Sequence, residues 1–113
     1  MFVFINTDKP SGQPQIIASP NANEIKHNSY LELTCDVSNV NGSLTWYKWM
    51  FENGTEIQNK TEAKLVYKVK TNEEMLHFVC TAGNPEGQIA NSMPWMIKII
   101  HDTPSELLYN FFH

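Results

Sequence analysis

The chain has 113 residues, 42% of them hydrophobic and 18% charged, and a formal net charge of −4. That is enough sequence for one core but not two, and it is too apolar for an intrinsically disordered chain. With no arginine and an acidic balance, it lacks the basic face that nucleic acid demands and the charge that would dock it on anionic lipid. No stretch reaches the length of a membrane-spanning helix.

Residues 2–5 read as a short strand, followed by a turn cluster from Thr7 to Gly12. The apolar run Met1–Ile5 has no basic flank and no small-residue cleavage site, so it does not read as a complete signal peptide. Gln15–Ser19 is a second extended piece, closed by the turn residues Pro20–Asn23. From Leu31 the alternation is clear: Leu31, Leu33, Cys35 and Val37 fall on one face, and Glu32, Thr34 and Asp36 on the other. After a loop at Asn39–Ser43, Leu44–Trp49 is rich in aromatic and β-branched residues, and Asn53-Gly54 marks a tight turn.

Lys64–Lys70 alternates again, with Leu65, Tyr67 and Val69 on one face; Leu76, Phe78, Cys80 and Ala82 define the inner face of the next strand. Gly83–Gly87 turns the chain into Met93–Ile100, whose Trp95, Ile97 and Ile99 share a face. Pro94 has no N–H, so that strand should lie at an edge or carry a bulge. Short strands at regular spacing indicate an all-β sandwich or barrel. Thr103–Glu106 then offers a helix cap, with Leu107, Leu108, Phe111 and Phe112 on one stripe. The same tail also reads as a linker.

Cys35 and Cys80 sit on the inner faces of two predicted strands from distant parts of the sequence, as a bond across two packed sheets requires. Closing that loop would stabilise the fold by about 4 kcal/mol in the chain-entropy picture. The other reading is a pair of buried free thiols. Two cysteines so far apart make no metal site, and the scattered histidines 27, 77, 101 and 113 add none. Neither a metal nor a cofactor is expected.

The order Cys35, Trp46, Cys80 resembles that of the immunoglobulin superfamily, in which a core tryptophan on strand C packs against a disulfide between strands B and F. Cys80-Thr81-Ala82-Gly83-Asn84-Pro85-Glu86-Gly87 is similar to the Cys-x-Ala-x-Asn-x-x-Gly signature of I-set domains, as are Trp46-Tyr47-Lys48 and Asn53-Gly54 to that set's strand C and following turn. The resemblance spans residues 14–100 and implies an immunoglobulin-like Greek-key sandwich with one inter-sheet disulfide. Trp46 would then be its core aromatic beside Leu33 and Phe78. Residues 1–13 would be an N-terminal extension or preceding-strand segment, and 101–113 a C-terminal tail.

Where most members carry Tyr two residues before the second cysteine, this chain has Phe78, with Glu74 and Leu76 in place of the usual Asp and small residue. That departure fits a second-constant-type domain. Phe78–Asn84 looks like the membrane-proximal domain of the T-cell adhesion and lymphocyte-activation receptors, although that family's usual additional disulfide is missing. Only a dozen residues separate Phe51 from Lys64, too few for the two extra strands of a variable-type domain.

The sequence contains no nucleophile elbow, phosphate-binding glycine loop or convergent acid–base pair, which points away from an enzyme. Three sequons, at Asn41, Asn53 and Asn59, fall in predicted loops where a glycan can be accommodated. With the cysteine pair they favour an extracellular setting, cell-surface or secreted. The binding surface expected from this reading combines Tyr47 and Trp49 with His77, Val79 and Thr81, turned outward on neighbouring strands; Tyr and Trp are enriched at interface hot spots. The resemblance thus implies a protein-binding module of an adhesion or receptor protein, contacting another protein or itself, with no insertion into a membrane. Two alternatives stand beside it: a structural immunoglobulin domain of an intracellular muscle-type protein, and a soluble decoy from a parasite or virus, the latter suggested by the Asn-rich, Arg-free composition.

Overall fold

The structure is a computed structural model that describes residues 12–19 and 21–101. The strand expected at residues 2–5 and the tail helix expected at Leu107–Phe112 lie outside those residues. The described residues form eight strands and no helix: β1 (Gln15–Ser19), β2 (Glu24–Lys26), β3 (Tyr30–Asp36), β4 (Trp46–Phe51), β5 (Lys64–Lys68), β6 (Met75–Gly83), β7 (Ile89–Asn91) and β8 (Trp95–Ile100).

Two sheets result. The first has the order β1-β3-β5; the second has the order β2-β8-β6-β4, with β7 also paired to β6. All pairings are antiparallel except β2 with β8, which run parallel with Glu24 opposite Lys98 and Lys26 opposite Ile100. The inner faces supply one core, to which the first sheet gives Leu31, Leu33 and Leu65, and the second gives Trp49, Leu76, Phe78, Ile97 and Ile99. Cys35 on β3 is bonded to Cys80 on β6, with their Cα atoms 6.0 Å apart. The disulfide therefore ties one sheet to the other.

Pro94 has the effect its chemistry requires. β7 and β8 lie along the same side of β6, β7 beside Thr81–Gly83 and β8 beside Met75–Phe78, and the chain leaves the ladder between them at Ser92–Pro94. Ser92 repairs the gap: its N–H donates to the Cys80 carbonyl (2.9 Å), and its Oγ accepts the Cys80 N–H (3.0 Å). After β4 the chain turns at Asn53-Gly54, where Gly54 takes φ +94°, a value that only glycine adopts freely. It then runs back far enough for the Ile57 N–H to reach the Trp49 carbonyl (2.9 Å).

The faces of β4 are the reverse of the sequence-based expectation. Trp49 has 0% exposure, whereas Trp46 is only half-buried. Trp49 lies opposite Cys80 in the β4–β6 register and belongs to the core cluster with both cysteines. Its indole Nε1 donates to the Glu62 carbonyl at 2.9 Å, which satisfies its one polar group inside the fold. Tyr47 and Phe51 follow Trp49 inward, so Tyr47 and Trp49 do not form an outer patch. The reason is strand parity: Trp46, Lys48 and Met50 share the other face, and the Lys48 ammonium stays solvated only if that face points out.

Trp49→Ala should therefore cost about 3–5 kcal/mol, the range for emptying a large aromatic site in a packed core. Trp46→Ala should cost clearly less. Urea denaturation of the two variants checks this: equal midpoints, or a larger loss for Trp46→Ala, would mean that the parity is wrong.

Candidate protein-binding face

The outer faces of both sheets mix charged and apolar side chains, with Ile17, Tyr30 and Val66 exposed on the first. On the first sheet, β3 and β5 set Glu32 and Lys64 in an ion pair of 3.3 Å, and the Lys68 ammonium lies 5.6 Å from the centre of the Tyr30 ring. These are solvated charges worth little individually. The second sheet carries an apolar band on its outer face, set among Lys48 and Lys98. Register places Met50 opposite Val79, Lys48 opposite Thr81, and His77 opposite Met96. Cross-strand partners share a face, so Met50, Val79, His77 and Met96 form one band across β4, β6 and β8. Met96 is 55% exposed.

Trp46 closes one end of this face. It stands opposite Gly83, and its ring covers the space that a side chain at Gly83 would fill. The indole Nε1 donates to the Asn84 carbonyl (3.2 Å), and the Lys48 ammonium sits 5.8 Å from the ring centre, within cation–π range. Asn84 organises the turn beyond. Its Oδ1 accepts the N–H groups of Glu86 and Gln88 (3.1 Å each), and its Nδ2 donates to Gln88 Oε1 (2.8 Å). The indole thus rests on a turn whose shape is already fixed.

Of the residues expected to face outward, His77 and Val79 do so from β6, half-buried among their neighbours. Thr81 lies on the same strand face but is only 4% exposed, with its hydroxyl donating to Asn91 Oδ1 at 2.7 Å. Met50, Met96 and the outward Trp46 did not feature in the sequence-based surface. Lys48 was the available signal, because a charged residue between Tyr47 and Trp49 marks the solvent side of that strand. Of the residues expected in the core, Leu33 and Phe78 are fully buried.

Asn41, Asn53 and Asn59 are all exposed, the last two in turns. The Asn53 side-chain oxygen accepts the Thr55 N–H (2.9 Å), and Asn59 takes a positive φ of 64°.

Among the described residues, two titrating groups are perturbed. Ser38 donates its backbone N–H to Asp36 Oδ1 at 3.0 Å, and its side chain adds a second hydrogen bond, which together hold the Asp36 carboxyl below its ordinary range. Burial pushes the Tyr67 phenol up and keeps it neutral. Tyr67 packs edge-on against Phe51 and Phe78, which form an aromatic group with Trp95 at one end of the core. Phe51, Tyr67, Lys70 and Glu73 border an open cleft of about 360 Å³ with mixed polar and apolar walls. No group of three or more His, Cys, Asp or Glu side chains able to hold a metal ion occurs among the described residues.

No protein-family model matches this chain, and no curated protein sequence matches it.

The Trp46–Gly83 contact provides a direct check. A Cβ at residue 83 would fall inside the Trp46 ring, so Gly83→Ala must push the indole off its seat. The expected result is a loss of about 1–3 kcal/mol in urea, the usual cost of overpacking, with a red shift in tryptophan emission. Unchanged emission and stability would show that the ring does not rest there.

Proposed function

We propose that this chain is a protein-binding immunoglobulin-like module of a cell-surface or secreted adhesion or receptor protein, and that it meets its partner with the outer face of the β2-β8-β6-β4 sheet. The observation that carries the reading is the band of Met50, Val79, His77 and Met96, which runs across three neighbouring strands and is bounded by Trp46. Flexible thioether side chains and an indole anchor are well suited to excluding water around a contact. The immunoglobulin assignment draws support from a disulfide joining two sheets and a buried tryptophan beside the second cysteine, on the strand next to it. The I-set-like run from Cys80 to Gly87 adds to it.

The extracellular setting draws support from the same disulfide and from three exposed sequons. Secretion from a eukaryotic host should add glycan at one or more of Asn41, Asn53 and Asn59, and glycosidase treatment should then lower the mass. Secreted protein of unaltered mass would remove that support.

The binding face is tested by Met50→Lys and Val79→Glu, compared with Glu32→Ala and Lys68→Ala on the opposite sheet. Self-association is read by sedimentation, and partner binding by staining cells with the multimerised domain. Each of the first pair should weaken association by at least about 1 kcal/mol, the threshold for a contributing contact, while the melting temperature stays near that of the parent. Loss of binding confined to the second pair would place the contact on the other face.

A further inference from the structure

β2 and β8 end side by side, with Lys26 opposite Ile100, and the next residue on each is a histidine. The His27 backbone N–H donates to the Ile100 carbonyl at 2.8 Å, which holds the two ends together. The His27 and His101 ring centres are 5.1 Å apart, with the planes inclined by 34°. Both residues are partly exposed, so an ion from solution can reach them.

The second observation concerns the protons. His101 Nε2 lies 2.9 Å from the Glu73 carbonyl oxygen. A carbonyl only accepts, so Nε2 must carry the hydrogen, and the neutral ring keeps its lone pair on Nδ1. A carbonyl bond to the far nitrogen is how proteins commonly orient a metal-binding imidazole and fix its tautomer. Two imidazoles on one tetrahedral zinc, with Zn–N bonds of about 2.0–2.1 Å, place their ring centres about 5 Å apart. The observed separation of 5.1 Å matches that spacing.

We propose that His27 and His101 form a two-imidazole site for a divalent transition-metal ion, Zn²⁺ or more tightly Cu²⁺, which clips the end of β2 to the end of β8. Water fills the remaining positions, so the ion exchanges freely. The surrounding charges are Glu24 and Lys26 on β2, Lys98 on β8, and Glu73 and Glu74 just before β6. Protons compete for the same lone pairs, so binding fades as the pH falls.

The test is titration of the intact chain with zinc sulfate at about pH 7.5, where a free imidazole is neutral, read by calorimetry and by the histidine ring signals in NMR. The expected result is one saturable site, shifts at His27 and His101, and a higher melting temperature with zinc. His27→Gln and His101→Gln should each weaken binding more than about tenfold, since loss of even an outer partner costs that much. His77→Gln should leave binding unchanged. Because the His101 ring also bonds to Glu73, His27→Gln is the decisive variant should His101→Gln unfold. Absence of saturable binding up to about 1 mM zinc, or full binding by His27→Gln, overturns the proposal. Neither outcome bears on the protein-binding face, which lies on other residues.

Discussion

Two sheets can pack face to face only if every group between them is apolar or internally paired, and the disulfide between Cys35 and Cys80 stands where that demand is strictest. It joins the central strand of the first sheet to β6, which pairs with β4, β7 and β8 in the second. Trp49 lies beside Cys80 and fills the space around the bond. Its indole N–H, the one group that could have been left unpaired there, is taken by the Glu62 carbonyl in the loop leading to β5. A single side chain therefore fills the centre of the core and fixes the course of the chain as it crosses from the second sheet to the first.

The consequences spread outward along β6. Because Cys80 points in, so do Phe78 and Leu76, and Val79 and His77 must point out. Because Trp49 points in beside Cys80, Lys48 and Met50 point out beside Thr81 and Val79. The composition of the exposed face is thus a by-product of core registry. Moving β4 by one residue would bury Lys48 and expose Trp49, which explains why the register is strongly specified.

The legibility of the sequence followed the contrast between its faces. β3 alternates apolar residues with Glu, Thr and Asp, and β6 places its large residues at every second position, so both strands could be read directly. β4 reads Trp-Tyr-Lys-Trp-Met-Phe, with a single charged residue to break the symmetry. The spacing from Cys35 favoured Trp46 as the core residue, and the charge of Lys48, a weaker signal, favoured Trp49. β2 and β7 have three residues each, too few to show any period, and they exist because a neighbouring strand offers partners. The closeness of His27 and His101 depends on parallel pairing between opposite ends of the domain, which no local pattern encodes. Within the proposed binding face, His77 and Val79 of β6 were legible and the residues from β4 and β8 were not, for the same reasons.

The parallel pairing of β2 and β8 has a mechanical consequence. β2 belongs to the first part of the domain and β8 to the last, and their backbone bonds lie across the direction in which tension on the two ends would act. A pull that separates the ends slides one strand along the other and loads those bonds simultaneously. An antiparallel pair joined at the same points would instead open one rung at a time. Force applied between these two strands therefore meets the second sheet in shear, its stiffest direction.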